Sequence, residues 1–157
     1  MNQRAPAFSL LNQDGKLRSS TDYRGRWLVL YFYPKDDSAG CTEEACAFRD
    51  EQSIIAQFGD AVVVGINKDT VASHKLFADK HHLNFDLLSD QSHRVTEAYG
   101  AWRTAGGTPE SRIFGTRRNT YIIDPEGAIV QTYIGVNPTG HATQIIEDLQ
   151  KLQTRTN

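Results

Sequence analysis

Two apolar runs separated by a helix-length segment constrain this chain more than any other feature. WLVLYFYP (residues 27–34) is aromatic and branched and ends in proline, and AVVVGIN (61–67) is β-branched and unbroken. Runs without polar alternation belong to strands covered on both faces, as in parallel sheets. Between them, CTEEACAFRDEQSIIAQFG (41–59) carries Ala45, Phe48, Ile55 and Phe58 at helical spacings and stops at Gly59, which predicts a crossover helix. The pattern continues in shorter form. TVASHKLFADKHH (70–82) reads as a helix capped by Asp69 or Thr70, FDLLSD (85–90) as a strand, and SHRVTEAYG (92–100) as a helix closed by Gly100. A long loop, AWRTAGGTPESRIFGTR (101–117), precedes RNTYIIDPEGAIVQTYIG (118–135), two strands joined by the turn DPEG. TGHATQIIEDLQKLQ (139–153) closes as a helix whose buried stripe is Ile145, Ile146, Leu149 and Leu152.

This order predicts one α/β domain over residues 1–157, with a mixed central sheet and helices on both faces. A thioredoxin-like fold with an N-terminal hairpin near 7–20 and an inserted β-α unit fits it. A doubly wound flavodoxin-like sheet is the rival, but its parallel strands would need crossover helices where this chain has a hairpin. The 157 residues suffice for a core without disulfide staples. Seventeen basic and nineteen acidic residues leave a net charge of -2, which gives no electrostatic case for nucleic acid or an anionic membrane as partner. The N-terminal MNQRAPAFSLLNQDG lacks the apolar run of a signal peptide, and no segment has the length of a membrane span. A cytoplasmic, reducing compartment is expected, where a transient disulfide is more plausible than a structural one.

Both cysteines lie in YPKDDSAGCTEEACAFRD, at 41 and 46. Cys41 follows the first strand through a short loop and opens the helix, at the strand end where open α/β sheets bind ligands. There the helix dipole and unpaired backbone N–H groups favour a thiolate. Ser38 supplies a hydroxyl three residues earlier. Five residues along a helix rise about 7.5 Å and turn about 140°, whereas a disulfide needs Cα atoms within about 7 Å and converging Cβ atoms. An intact helix therefore does not accommodate a Cys41–Cys46 bond, and forming one is expected to unwind its first turns. The plain alternative for either cysteine is a small buried hydrophobe. Zinc would want four ligands, and His74, His81, His82, His93 and His141 are scattered, most on expected polar helix faces, so no metal is expected.

The segment resembles the active site of peroxiredoxins, in the bacterioferritin comigratory protein or PrxQ branch. The family pattern P-x-x-x-[T/S]-x-x-C is met by Pro34, Ser38 and Cys41, and G-C-T-x-E-A-C-x-F-R-D by residues 40–50. The likeness continues through AYGAW (98–102), RNTYIIDPEG (118–127) and the last helix. Ser38 departs from the commoner threonine: it keeps the hydroxyl and loses a methyl that restricts the rotamer.

The resemblance implies a thiol peroxidase in which Cys41 is the peroxidatic and Cys46 the resolving cysteine. Their intramolecular disulfide would be reduced by thioredoxin or a similar dithiol. Arg118 would stabilise the reacting peroxide, Pro34 would wall the pocket, and Glu44 and Arg49 would give ion-pair or hydrogen-bond support. Arg117 would face the other way along a strand. No cofactor is implied, and a monomer suffices. Trp102 borders the pocket or simply packs. A disulfide oxidoreductase would want C-x-x-C and a proline facing the thiols, for which Thr108-Pro109 is the one candidate. A redox sensor using the same cysteine pair is the non-catalytic alternative.

Overall fold

The computed structural model describes residues 3–103 and 115–155. Ten strands and four α-helices are found there: β1 (Gln3–Arg4), β2 (Ser9–Leu11), β3 (Leu17–Ser19), β4 (Leu28–Phe32), α1 (Ala39–Ile55), β5 (Val62–Asn67), α2 (Val71–His81), β6 (Asp86–Ser89), α3 (Arg94–Ala98), β7 (Trp102–Arg103), β8 (Gly115–Thr116), β9 (Thr120–Ile123), β10 (Ala128–Tyr133) and α4 (His141–Arg155). Eight strands form one mixed sheet in the order β1-β10-β9-β4-β5-β6-β2-β3. β4 sits in its middle, parallel to β5 and antiparallel to β9. The expected α/β sheet is therefore present, with the terminal hairpin β9–β10 antiparallel.

Period-two alternation in β4 divides the core into two layers. Val29, Tyr31 and Tyr33 point to one face, where Cys41, Ala45, Phe48 and Ile55 of α1, Phe77 and Ala78 of α2, and Ile145 and Leu149 of α4 meet them. Leu28, Leu30 and Phe32 point to the other, covered by Phe8, Tyr23, Tyr99 and Ala101. The three long helices thus share one face, and the N-terminal segment and short α3 serve the second. β5 needs Gly65 where it lies opposite Tyr31, because a Cβ there would stand 2.9 Å from the tyrosine ring. The missing side chain leaves the space that the Tyr31 ring fills.

Three details add to or differ from what the sequence implies. The N-terminal hairpin expected near 7–20 is present as β2–β3, and it also pairs through Leu11 with Ser89 of β6, which extends the sheet. The stretch expected as loop 101–117 contains a two-stranded ribbon, β7–β8; Thr108-Pro109 and most of that stretch lie outside the described residues. His74 and His141, two of the five histidines of which most are expected on polar helix faces, are buried. His74 shares a face with Phe77, Ala78 and His81, the i, i+3, i+4, i+7 spacing of an apolar stripe. No helix among the described residues is long and apolar enough to cross a membrane.

Candidate active site

The turn between β4 and α1 sets the geometry of the site. Asp37 adopts a left-handed conformation, φ 61°. Ser38 then returns to extended backbone as the N-cap of α1, its carbonyl accepting from the Thr42 amide at 2.8 Å. The helix begins at Ala39, two residues earlier than its sequence pattern predicts, so Cys41 lies in the first turn. Both thiols are free, with Cys41 buried and Cys46 partly exposed. Ala45, Phe48 and Ile55 are fully buried and tie the rest of α1 to the sheet. A buried phenylalanine alone contributes roughly 1.5–3 kcal/mol, so Phe48 firmly anchors the middle of α1 in the core.

Arg118 reaches this turn from across the sheet. It does not lie in a strand, contrary to the sequence reading, but in the residues leading into β9. Backbone bonds hold it there: Val136 donates to the Arg118 carbonyl at 2.7 Å, and Arg117 donates to Ala101 at 2.6 Å. Arg117 is exposed. The Arg118 guanidinium donates through Nη2 to Cys41 Sγ at 3.3 Å and through Nη1 to Glu44 Oε1 at 2.8 Å. Burial works to lower its pKa, but Cys41 and Glu44 outweigh that and hold it above its ordinary range. Gly40 makes room for the cation. A Cβ on it would lie 3.2 Å from Nη2 of Arg118 and 3.5 Å from Pro138.

Glu44 is 1% exposed, and its Oε2 has no hydrogen-bond partner among the described residues. Burial pushes its carboxyl from near 4.5 up to about 7, against the attraction of Arg118. A raised carboxyl pKa means that the folded protein binds the proton more tightly than the unfolded chain, so stability falls as pH rises from about 4.5 to 7. Glu44→Gln is expected to remove that slope. Across this window the variant should gain on the wild type by roughly 3 kcal/mol in urea unfolding free energy; parallel curves for the two proteins would contradict the assignment.

The other expected residues sit as follows. The Ser38 hydroxyl turns back to the Lys35 carbonyl at 3.1 Å, and among the described residues it makes no hydrogen bond to the sulfur. The tight turn over 35–38 brings that carbonyl closer to hand than Cys41. Pro34 is partly buried at the end of β4. Arg49 lies on the far part of α1, where it donates to the His81 carbonyl at 2.6 Å and pairs with Asp50, joining α1 to the end of α2 and not touching the cysteine. The indole of Trp102 stacks on His93, with ring centroids 3.9 Å apart.

Two groups escaped the sequence reading. Tyr31 lies fully buried under α1, its hydroxyl without a hydrogen-bond partner among the described residues, and burial, followed by the nearby Glu44 and Cys41 charges, raises its phenol well above the ordinary range. Asp36 and His74 form a buried pair at 2.6 Å. The helical stripe through His74, Phe77 and Ala78 was the available signal for the histidine; nothing local marks Asp36 as its partner.

A cationic donor held against a thiol at a helix start is an arrangement for attack on a polarised bond, and comparison with known proteins agrees. The sequence profile of the AhpC/TSA family matches residues 1–132. Peroxiredoxin Bcp of Bacillus subtilis is 35% identical over 155 residues, spanning 99% of this chain and 98% of that protein. The bacterioferritin comigratory protein of Xanthomonas campestris superposes with a TM-score of 0.87 at 29% identity, covering 93% of this chain and 92% of that one. Peroxidoxin BcpB of Mycobacterium tuberculosis superposes with a TM-score of 0.85 at 28% identity, covering 96% of each. With its cysteine, arginine and glutamate set on a thioredoxin-like sheet, this chain belongs to the AhpC/TSA family as a peroxiredoxin of the Bcp/PrxQ group, a thiol-dependent peroxidase acting on peroxide at the expense of a thiol reductant.

Proposed function

We propose that the chain reduces hydrogen peroxide and organic hydroperoxides through a sulfenic acid at Cys41, which then condenses with Cys46 of the same chain. The observation that carries this reading is the Arg118 guanidinium, shared between Cys41 Sγ at 3.3 Å and Glu44 at 2.8 Å. The sulfur, having given up its proton, attacks one peroxide oxygen as the O–O bond breaks. The departing oxygen takes a proton and leaves as water or an alcohol. Arg118 and the free N–H groups of the first turn of α1 stabilise the charge on that oxygen. Pro34 offers no N–H and helps to keep water out. Ser38 serves by tying the turn to the Lys35 carbonyl, not by touching sulfur. The Xanthomonas campestris relative is described as having alkyl peroxide reduction activity, which supports organic hydroperoxides as substrates here.

Resolution requires movement. α1 is continuous from Ala39 to Ile55 with both thiols free, and the five-residue separation is too long for a disulfide within a helix. The first turns unwind, the Cys46 thiol attacks the Cys41 sulfenic acid, and water leaves. Thioredoxin or a similar dithiol then reduces the disulfide by exchange and is itself oxidised. An internal resolving cysteine makes a partner subunit unnecessary, so one domain acts as a monomer, and a reducing cytoplasm suits its transient disulfide.

The test is mass spectrometry after one equivalent of peroxide. A single intrachain Cys41–Cys46 link is expected. Cys46→Ser should undergo one stoichiometric oxidation at Cys41 and then stop turning over with thioredoxin. A link between chains, or a Cys46→Ser protein that keeps cycling at the wild-type rate, would overturn the scheme.

A further inference from the structure

The turn that presents Cys41 is held by a buried polar cluster that plays no part in the reaction just described. Asp36, five residues before Cys41, is its centre, and its side chain is 4% exposed. Oδ1 accepts from the Tyr33 hydroxyl at 2.6 Å and from Asn67 Nδ2 at 3.4 Å. Oδ2 accepts from the Ser73 hydroxyl at 2.7 Å and faces His74 Nδ1 at 2.6 Å. The other ring nitrogen of His74, wholly buried, lies 3.1 Å from the Leu88 carbonyl, which can only accept. The ring of His74 is thus held between two oxygens, Asp36 Oδ2 and the Leu88 carbonyl. Burial opposes ionisation of Asp36, but the bonds from His74, Tyr33 and Ser73 prevail and keep its carboxyl below the ordinary range.

The backbone is held as well. The Asp36 amide donates to Asp69 at 2.8 Å, and Asp69 is fixed in turn by Asn67 and Ser89. On the surface, Lys80 and His81 of α2 meet Asp37 at 2.7 and 3.0 Å. β4, β5, α2 and β6 therefore converge on the two residues that set where α1 begins. A buried polar cluster with this many satisfied groups has one good arrangement, and releasing any member leaves the others unpaired at a cost.

We propose that His74, acting through Asp36, is a positioning residue for Cys41: the pair keeps the start of α1 folded so that the sulfur stays on Arg118 while peroxide reacts. The proposal rests on the peroxidase reading above. With the pair intact, residue 36 is a fixed pivot, and the slack for the disulfide comes from the residues after it. With the pair broken, the helix start frays in the reduced enzyme. Cys41 then spends less time against Arg118, which slows oxidation. The condensation with Cys46 needs the frayed form, and it is not slowed.

The experiment is rapid quenching of the reduced full-length protein after mixing with hydrogen peroxide, with mass spectrometry following each step. It yields the second-order rate of Cys41 oxidation and the first-order rate of disulfide formation. His74→Gln is expected to lower the first at least ~10-fold and to leave the second unchanged or faster. Ser73→Ala removes one bond to Asp36 and is expected to lower the first ~3-fold in the same pattern. If His74→Gln does not fold, Ser73→Ala decides alone. Oxidation that is unchanged or faster in a folded variant would overturn the positioning role, and so would a parallel fall of both steps, the mark of general damage. Failure of the underlying peroxidase reading looks different, because the wild-type Cys41 would then not be oxidised.

Discussion

Cys41→Ser is expected to abolish peroxide consumption altogether, to the background seen without protein, in an assay coupled to thioredoxin, its reductase and NADPH. The two residues differ by one atom, and Cys41 is fully buried in the first turn of α1, so the packing survives the exchange. What is lost is the nucleophile. A serine hydroxyl stays protonated where a thiol ionises, and oxygen is the poorer nucleophile toward a peroxide. A serine oxygen can still accept a hydrogen bond from Arg118, now 3.3 Å from the sulfur, so the site keeps its shape while losing its chemistry. Circular dichroism and thermal unfolding should match the wild type. Turnover retained above about a thousandth of the wild-type rate would place the reaction elsewhere in the chain.

Arg118→Met has the second largest expected effect, because it touches both charge stabilisation and the buried pair. Removing one donor aimed at developing charge costs about 10²–10³ in rate, and oxidation of Cys41 by hydrogen peroxide should fall by that factor. The structural cost has a built-in relief. Breaking a buried ion pair from one side is ordinarily worth about 3–5 kcal/mol, because a charge is left alone. Here burial already lifts Glu44 to about 7, and without Arg118 its carboxyl will bind a proton through the neutral range and shed the charge. Arg118→Met should therefore lose stability chiefly above pH 7. Adding Glu44→Gln should restore stability at high pH and leave the rate loss in place. A double variant that recovered the rate would show that Arg118 serves only to neutralise Glu44.

These effects rest on residues of unequal legibility. Cys41 and Cys46 stand out in a chain with no other cysteine, and Cys41 lies directly after a strand whose apolar run is unmistakable. Strand alternation and the family likeness point to Arg118 over Arg117. Arg118 does face Cys41, but the cause is different: no strand runs through it, and backbone bonds from Val136 and around Arg117 orient the segment. The family likeness implies support from Glu44, but its 1% exposure, and an Oε2 without a partner among the described residues, follow only from the packing of α1 against the sheet. Arg49, read from the same helix, points away to the end of α2, because the five residues from Glu44 to Arg49 turn the side chain about 140° round the helix.

The order of strands and helices, the alternation that splits β4 between two layers, and the presence of a thiol at a helix start follow from periodicity and chain breakers, which act over a few neighbours along the chain. The grip of Arg118 on Cys41, 77 residues away, and of His74 on Asp36, 38 residues away, was decided only by the folded sheet. Those contacts depend on which strand ends lie side by side. A buried polar group finds its partner wherever the tertiary fold supplies one, so no local pattern announces the pairing in advance.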